Sequence, residues 1–329
     1  MENQTESFPF RTEAEFFNTF VPEEHPFRQL TAIIDFTDLV EPLHTLYSDL
    51  GTTGIAVEKG FKCLLVQFWE DYSDRQMEKA VKENLAVRWF CGFMLTEETP
   101  DHSYFGKLRK RLGTKRIADL FNRVNDILKS HNLIGNVFHF IDASAIITKT
   151  HLWTERDRAI KDGADTLNNK NVEKYAADSQ ARWGQKSATN IWFGYKRHVS
   201  VDMRFGLITK LRVTPGNVLD FEVIKSLLPS VGMAFMDKLY DIEAVIELLK
   251  KEGIANATIL KNNRKAKNRD LDRWRSSIRM PFESTFSKQE KRARYRGNAK
   301  VTMQAFLEAI AHNLKKAVRI LQPATAIPR

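Results

Sequence analysis

Two short apolar runs in the second half of the chain each end on an aspartate. They are V-F-H-F-I-D at residues 137–142 and M-A-F-M-D at residues 233–237. A run of this length and composition predicts a strand that is buried on both faces. An unpaired charge is costly to bury. Since two such runs in one chain each end on an aspartate, the two carboxylates are candidates for a functional site.

A third carboxylate follows in the run R-M-P-F-E-S-T-F, where Pro281 predicts the first turn of a helix that carries Glu283. Two strand ends and a crossing helix would bring Asp142, Asp237 and Glu283 together at one edge of a sheet. Carboxylate oxygens suit Mg²⁺, and two such ions about 3.5–4 Å apart stabilise the attacking and leaving oxygens of a phosphoryl displacement. The three acids are therefore candidates for both metal binding and catalysis.

Each of these acids also has a structural interpretation. Asp142 would cap the turn that follows it, Asp237 would pair with Lys238, and Glu283 would lie near a helix start, where the helix dipole favours a negative charge. The joint placement of three carboxylates favours the metal site. His198, on the polar face of a predicted strand, is interpreted as a structural hydrogen-bonding residue rather than a ligand.

The segments around these acids predict a mixed sheet with helices on its faces. Residues 191–202 and 207–213 alternate between apolar and polar positions and predict a hairpin. Helices are predicted over 218–228, 242–252, 281–292 and 301–321, with a strand over 257–260 and a basic connection over 261–279. Residues 151–190 are polar and irregular and predict a loop insertion.

The first half of the chain predicts helices only. Residues 1–60 are acidic with short helical patches, and 51–60 predict a linker. Ser73 and Gln76 form a capping-box pattern. Helices are predicted over 104–112 and 115–130, separated by Gly113. The helix over 104–112 is either a recognition helix in a DNA groove or a solvated face. Its cations are Lys107, Arg109, Lys110 and Arg111.

Charge is distributed unevenly along the chain. The formal net charge is +10, yet residues 1–60 carry 11 acidic and 3 basic side chains, whereas residues 261–300 carry 14 basic and 4 acidic ones. Since a solvated surface usually mixes both signs, the late segment predicts a polyanionic partner such as nucleic acid. The alternative is a basic helix face balanced by the acidic N-terminal region. The candidate phosphate contacts are Lys288, Lys291, Arg292, Arg294 and Arg296.

Cysteine usage and hydropathy indicate the cellular compartment in which the protein is expected. Cys63 and Cys91 lie in apolar helical contexts without a C-x-x-C partner, which argues against a disulfide framework or a zinc site. No apolar stretch approaches the ~20 residues of a membrane span, and the N-terminus has no signal-peptide pattern, so we expect no membrane partner. We therefore expect a protein of the reducing cytoplasm.

Several runs resemble, in order, the segments of one known family. F-K-C-L-L-V-Q-F-W-E-D-Y-S-D and P-D-H-S-Y-F-G-K-L-R-K-R-L-G resemble the InsH-type N-terminal domain of bacterial insertion-sequence transposases. I-D-A-S, F-G-Y-K-R-H-V-S-V-D, T-P-G-N-V-L-D, M-D-K-L-Y-D and E-S-T-F…R-Y-R-G-N-A-K-V resemble the catalytic domain of the same DDE transposases. The resemblance covers residues 27–321 in the family's order, so it is more specific than any single motif.

The resemblance implies a ribonuclease-H-like catalytic domain at 136–329, an InsH-type helical DNA-binding domain at 61–135 and an acidic region at 1–60. Asp142, Asp237 and Glu283 match the family's acidic triad, with Mg²⁺ as the cofactor and Mn²⁺ as an alternative ion. The implied activity is cutting at the terminal inverted repeats of an insertion sequence and joining of the freed 3′-hydroxyl to target DNA. The implied partners are double-stranded DNA and further copies of the chain, as a homodimer or higher oligomer on DNA at the bacterial nucleoid.

One position departs from the family pattern. Many relatives carry Lys or Arg about two helical turns after the glutamate, and this chain has Glu290 there. Lys288 and Lys291 are the candidates for the base that grips phosphate instead. Two other functions stay open: a DNA-binding repressor or domesticated protein that keeps the fold without the chemistry, and a Mg²⁺-dependent nuclease that cuts without joining strands.

Overall fold

A computed structural model describes residues 10, 12–46, 54–135, 137–148, 152–265, 267–287 and 291–321. The chain divides into two compact units, Met1–Val124 together with Ile310–Arg329, and Asn125–Ala309. The first is helical and the second contains a mixed sheet, as the sequence predicts. The three-part division at residues 60 and 135 stays a prediction. Within the described ranges, no helix has the length and apolar character needed to cross a bilayer.

The helices before residue 131 are mostly short. They are α1 Glu13–Phe20, α2 Pro26–Ile33, α3 Phe36–Val40, α4 Val57–Trp69, α5 Asp74–Glu83, α6 Leu85–Phe90 and α7 His102–Ser130. The capping box at the start of α5 is confirmed, because Gln76 N donates to Ser73 Oγ at 3.3 Å and Ser73 N donates to Gln76 Oε1 at 2.9 Å. Gly113 interrupts α7 with a φ of 69°, which confirms the predicted break, since glycine adopts positive φ at little cost.

The acid-rich N-terminal segment contributes apolar side chains to the core of the first unit. Phe27 of α2 stacks on Phe90 of α6 with ring centroids 4.7 Å apart, and Phe36 of α3 meets the same ring edge-on at 5.4 Å. The predicted linker over 51–60 is wrong from Val57 onward, because Val57 is buried and begins α4. Residues 51–53 lie outside the described ranges. Cys63 and Cys91 are both buried and free, as expected.

Arg109 is placed differently from the prediction. Its Nη2 lies 2.6 Å from Asp74 Oδ2, and its Nη1 donates to Gln67 Oε1 at 3.1 Å. The helical period puts Arg109 on the inner face of α7, whose apolar members Phe105, Leu108 and Leu112 are buried. Arg109 therefore ties α7 to α5, and this ion pair withdraws its guanidinium from any phosphate. The other three cations of this helix, Lys107, Lys110 and Arg111, are exposed.

We expect Arg109→Ala to lower the free energy of unfolding by about 2–3 kcal/mol. This is less than the ~3–5 kcal/mol typical of a broken buried pair, because Asp74 is one-third exposed and keeps some solvation. Urea denaturation followed by circular dichroism measures the change. Lys110→Ala, at an exposed neighbouring position, is the matched control and should change stability by no more than about 0.5 kcal/mol. Equal effects of the two substitutions would contradict a structural role for Arg109.

The second unit is organised on one mixed sheet. Its strands are β1 Phe138–Ile147, β2 Arg182–Ser187, β3 Asn190–Asp202, β4 Leu207–Pro215, β5 Met233–Met236 and β6 Ala255–Thr258. The hydrogen-bonded order is β2-β3-β1-β5-β6, and β4 pairs with β3. β1 runs antiparallel to β3 and parallel to β5, which in turn runs parallel to β6. The predicted hairpin is confirmed as β3 and β4.

The prediction that β1 ends at Asp142 is wrong. β1 continues to Ile147 because β3 pairs with it antiparallel from His139↔Asp202 to Ile147↔Gly194. Its parallel pairing with β5 is much shorter and reaches only Phe140↔Phe235. At Asp142, therefore, the pairing of β1 with β5 has ended, whereas its pairing with β3 continues.

The segment predicted as a loop insertion is partly regular. It contains α8 Trp153–Lys161, α9 Val172–Tyr175 and β2, which extends the sheet beside β3. Later come α10 Glu243–Lys251, α11 Arg269–Ser287 and α12 Asn298–Leu321, and a 3₁₀ turn over Asp220–Ser226 stands where a helix over 218–228 was predicted. The short elements within 151–190 were not predicted because they contain few apolar positions and so show no clear periodicity.

Helix α11 begins well before Pro281, so the predicted first-turn role of that proline is wrong. Asn268 explains the earlier start, because its Oδ1 accepts from Asp270 N at 3.0 Å and Leu271 N at 3.1 Å. Pro281 then lies inside the helix. The last part of the segment predicted as a basic connection, residues 269–279, is therefore helical.

The two faces of the sheet carry separate cores around β1. On one face Ile141, Ala234 and Met236 pack with Val245 and Leu249 of α10. On the other face Phe140, Phe235 and Ala257 pack with Ile278 and Phe282 of α11. Successive residues of a strand point to opposite faces, so Asp142 shares its face with Phe140 and with α11.

Candidate active site

Asp142 and Asp237 lie at the same level on adjacent strands. Phe140 and Phe235 are the last parallel pair between β1 and β5, and each aspartate follows its phenylalanine by two residues. Asp237 comes directly after β5 and accepts from Lys238 N at 2.6 Å, which begins a 3₁₀ turn. Asp142 Oδ1 accepts from Ala143 N at 2.8 Å. The strand register alone therefore brings these two predicted carboxylates together.

The surroundings of Asp142 oppose its ionisation. Burial, together with the negative charge of Asp237, raises the pKa of Asp142 from 3.8 to about 6, against the opposing effects of the hydrogen bond from Ala143 N and of the positive charges of Arg279 and Lys186. A nearby positive charge favours the ionised form of a carboxyl group whose pKa is raised by burial. The pair Asp142 and Asp237 is thus an electrostatic site for a cation.

Helix α11 lays one arginine and one glutamate over the same face. Arg279 Nη1 lies 3.9 Å from Asp237 Oδ1, and Arg279 Nη2 lies 3.2 Å from Glu283 Oε1. The guanidinium also covers the ring of Phe140 at 5.0 Å from its centroid. Arg279 therefore stands between the third predicted carboxylate and the first two and supplies the positive charge that the acids require.

The three predicted acids do not form a closed ligand cluster in this conformation. Among the residues that the structure describes, no three His, Cys, Asp or Glu side chains stand close enough together to hold a metal ion. Asp142 and Asp237 come together, whereas Glu283 is turned to Arg279 and remains about half exposed. The donor chemistry still suits a hard cation, since all three groups offer carboxylate oxygens.

Two family matches cover most of the chain. Residues 140–314, which contain Asp142, Asp237 and Glu283, match the family described as Transposase DDE domain. The chain belongs to the DDE transposase family. Residues 15–111 match a second family, described as Transposase domain (DUF772). The predicted resemblance is confirmed, and with it the ribonuclease-H-like class of the mixed sheet and the helical N-terminal region.

One curated relative is the transposase for insertion sequence element IS1106 of Neisseria meningitidis serogroup B. It is 31% identical over 162 residues, which are 45% of this chain and 56% of that relative. The matched part thus spans little more than half the length of this relative. The cryo-EM structure of the piggyBac transposase synaptic complex with hairpin DNA superposes with a TM-score of 0.37 and 10% identity, over 91% of this chain and 82% of the other.

The late basic segment of this DDE chain is anchored to β1. Ile147 N donates to Lys291 O at 2.7 Å, and Ala293 N donates to Ile147 O at 2.8 Å, so residues 291–293 form a bridge at the end of the strand. Gln304 of α12 holds the next residues, since its Oε1 accepts from Arg294 N at 2.8 Å. The backbone is fixed, and the side chains of Lys291, Arg292 and Arg296 are exposed while Arg294 is half-buried. Lys288 and Glu290 lie outside the described residues.

His198 is a structural residue, in agreement with its interpretation from the sequence. It is fully buried, and its Nε2 lies 2.8 Å from Thr214 Oγ1 on the neighbouring strand. Burial lowers the pKa of His198 to about 4, so the ring is neutral at physiological pH. A neutral imidazole bonded to a hydroxyl joins β3 to β4.

Two residues near the acids were missed by sequence reasoning. Arg279 precedes Glu283 by four residues, which is one helical turn and the spacing of an ion pair. Treating 261–279 as a connection hid this spacing. Lys186, whose charge lowers the pKa of Asp142, lies on β2 inside the predicted loop. No local pattern signals its proximity, because the pairing of β2 with β3 is what brings it near.

We expect Asp142→Asn to stabilise the metal-free protein at pH 7. The folded pKa of Asp142, about 6, lies above its ordinary 3.8, so the native state binds more protons than the unfolded chain between these values and the wild type loses stability as pH rises from about 4 to about 6. The full shift corresponds to about 3 kcal/mol, and the partial exposure of Asp142 reduces the expected gain to about 1–2 kcal/mol.

Urea denaturation in EDTA between pH 4 and pH 7 measures this difference. Asp270→Asn is the control, because Asp270 lies on α11 but is 91% exposed. Its stability curve should parallel that of the wild type. If the free energy of unfolding depends on pH in the same way for the wild type and Asp142→Asn, the pKa of Asp142 is not raised in the folded protein.

Proposed function

We propose that this chain is a DNA transposase that cuts at the terminal repeats of an insertion sequence and joins the freed 3′-hydroxyl to target DNA. The observation that carries the proposal is the in-register placement of Asp142 and Asp237, with Glu283 above the same sheet face, inside the segment that matches the DDE family. The curated relative is named as a transposase of an insertion sequence, which supports the same conclusion.

We further propose that Asp142, Asp237 and Glu283 bind Mg²⁺, or Mn²⁺ as the alternative ion. Ions held by these carboxylates would lower the pKa of a water or hydroxyl nucleophile and stabilise the leaving oxygen of a phosphodiester. Asp142 and Asp237 provide oxygen ligands from adjacent strands, and their mutual repulsion is relieved by a cation. Glu283, which pairs with Arg279 one helical turn away, would leave that ion pair to supply the third carboxylate.

Arg279 has a role in this scheme that follows from its contacts. Without a metal ion its guanidinium balances the charge of Asp237 and Glu283 and opposes the burial penalty of Asp142. With DNA bound, the same guanidinium lies at the site where a phosphate must enter, and a planar fork of donors suits phosphate oxygens. Arg279 thereby balances the negative charge of the acids in the free protein and would contact the substrate phosphate in the complex.

The proposed partner is double-stranded DNA, as terminal inverted repeats and as target. In the catalytic unit, Lys291, Arg292, Arg294 and Arg296 lie on a segment anchored to β1 and would neutralise phosphates. In the helical unit, the exposed Lys107, Lys110 and Arg111 are the remaining candidates. A homodimer or higher oligomer on DNA, within the bacterial cytoplasm, completes the proposal.

We expect Asp142→Asn, Asp237→Asn and Glu283→Gln each to reduce cleavage and joining by about 10³-fold or more. Each change keeps the side-chain shape and removes one anionic ligand, and the loss of several kcal/mol of transition-state stabilisation has this effect on a rate. DNA binding should persist or strengthen, because a carboxylate that faces phosphates repels them. End-labelled element DNA incubated with Mg²⁺ shows both cleavage and joining products.

Asp270→Asn, an exposed acid on the same helix as Glu283, is the control and should cut and join at the wild-type rate. Near wild-type cleavage by Asp142→Asn or Asp237→Asn would contradict the mechanism. Wild-type protein that cuts but never joins would be a nuclease, and wild-type protein that binds without cutting would be a DNA-binding derivative of the family.

We expect Arg292→Ala, Arg294→Ala and Arg296→Ala, combined, to flatten the salt dependence of DNA binding. Each lost phosphate contact lowers the slope of log K against log salt by about 0.9, so a drop of about 2–3 is expected. Binding should weaken similarly for element DNA and scrambled DNA, because phosphates carry no base information. The control removes three other exposed cations of the same unit, Lys225, Lys250 and Lys251. Equal slopes for the two triple variants would show that residues 292–296 face away from DNA.

A further inference from the structure

The basic segment of the catalytic unit, taken as residues 291–297, ends where α12 begins. Its first residues are held by β1 through Ile147, and Arg294 N is held by Gln304. Arg296 comes after these anchors, and its side chain is exposed. This last part of the segment is neither helical nor part of a strand, so contacts from other elements must hold its conformation.

Asp178 provides such a contact. It lies between α9 and β2, 119 residues before Gly297, and its Oδ2 accepts from Gly297 N at 3.2 Å. Gly297 has a φ of 91°, and its carbonyl accepts from Val301 N at 3.1 Å, which is a first-turn bond of α12. Asp178 therefore contacts the residue at which the basic segment turns into the helix.

Gln180 makes a second contact two residues after Asp178. Its Oε1 accepts from Asn298 N at 2.7 Å. The first N–H groups of a helix have no partner inside the helix, and negative charge near them is favourable. Residues 178–180, here called the brace, therefore cap α12 from a distant part of the chain.

The brace is itself held by the sheet. Tyr195 of β3 donates from its hydroxyl to Asp178 Oδ1 at 2.8 Å, and Asp178 is only 2% exposed. Ala181, directly after the brace, packs in one core with Ala293 of the basic segment and Val301 of α12. One oxygen of the carboxylate thus contacts the sheet, while the other contacts the end of the basic segment.

The charge of Asp178 cannot itself favour a nucleic acid, because a carboxylate repels phosphates. Its burial keeps it from reaching a bound duplex, whereas Arg296, next to Gly297, is exposed. What Asp178 supplies is a fixed backbone beside this cation. A side chain on a fixed backbone loses less conformational entropy on binding than one on a backbone that must be ordered.

We propose that Asp178, together with Gln180, is a positioning residue for DNA binding, which holds Gly297 so that Arg294 and Arg296 face the duplex. The inference rests on the proposed DNA contacts of the basic segment. The brace does not contact DNA. It joins the segment between α9 and β2 to the far end of the candidate phosphate contacts.

Asp178→Ala and Gln180→Ala in the full chain test this assignment. The probe is a fluorescein-labelled duplex of random sequence, because phosphate contacts carry no base information, and fluorescence anisotropy measures the affinity. Asp178→Ala should weaken binding about 5–10-fold, as expected when one or two side chains must be ordered on binding. Gln180→Ala removes one bond at an exposed position and should weaken binding about 2–3-fold, with stability close to that of the wild type.

Thr214→Val is the control for lost stability. The Thr214 hydroxyl is bonded to the buried His198, on the face of β4 opposite to Val213, which packs in the core beside the brace. Like Asp178→Ala, this variant loses a buried hydrogen bond and should unfold at a lower urea concentration than the wild type. Its affinity for the duplex should equal that of the wild type.

The variant that combines Arg292→Ala, Arg294→Ala and Arg296→Ala tests the route by which the brace acts. Adding Asp178→Ala to this three-arginine variant should change its DNA affinity by less than about 2-fold. The reason is that the cations positioned by Asp178 are then absent, so the two changes are not additive.

Several results would overturn the assignment. Wild-type DNA affinity in both single variants would show that the brace only caps α12. Equal weakening by Thr214→Val would show that lost stability is the cause. An undiminished effect of Asp178→Ala in the three-arginine background would show that it acts elsewhere. If Asp178→Ala does not fold, Gln180→Ala decides alone, and wild-type affinity in that variant overturns the assignment.

The proposed DNA contacts and the brace can fail separately. If the three-arginine variant binds DNA as tightly as the wild type, the basic segment is not a DNA contact, and the role of Asp178 fails with it. If that variant binds weakly while Asp178→Ala and Gln180→Ala bind like the wild type, only the role of the brace is removed.

Discussion

Repulsion between two carboxylates on neighbouring strands is the constraint on which the site depends. The register of β1 and β5 fixes Asp142 and Asp237 side by side, and neither can move away without breaking the parallel pairs that precede it. A fold that keeps this pair must supply positive charge nearby. Arg279 does so from α11, and packing of Ile278 and Phe282 against Phe140 and Phe235 holds that helix over the sheet. The apolar residues of α11 thus pack on the two strands whose aspartates lie near its arginine.

β1 has a central role because it serves several neighbours at once. Its first residues pair with β5 and β3, and beyond Phe140 only the antiparallel pairing with β3 continues among the described strands. Asp142 lies where this change occurs, with β3 paired on one side and the residues that follow β5 on the other. At the far end, Ile147 pairs with the backbone of the basic segment. One strand therefore carries a candidate catalytic acid and the anchor of the candidate phosphate contacts.

The sequence was sufficient for the features that depend on local patterns. The hairpin of β3 and β4, the capping box at Ser73 and the break at Gly113 were all predicted because each is determined by a few adjacent residues. The sequence also suggested that Asp142 and Asp237 lie near each other, and the register of β1 and β5 places them at the same level; their role as site residues stays a prediction. It could not give the length of β1, since the residues after Asp142 extend only because β3 pairs with them.

Residues whose role depends on a distant partner escaped prediction for the same reason. Arg109 looked like one member of an exposed basic helix, and only the position of Asp74 shows that it is internal. Lys186 lay in a stretch without periodicity, and Arg279 lay in a stretch taken for a connection. In each case the missing information was which other element packs nearby, which no window of consecutive residues contains.

The anchoring of the basic segment to Ile147 would set a length scale for the proposed DNA complex. Ile147 lies five residues beyond Asp142, and an extended strand advances about 3.3 Å per residue, so the two positions are about 16 Å apart. One strand of B-form DNA rises about 3.4 Å per nucleotide, so this distance corresponds to about five nucleotides. A duplex lying along β1 would then be gripped about half a helical turn from the phosphate at the acids. In the proposed complex, the footprint of the catalytic unit would thus be set by a strand rather than by a flexible loop.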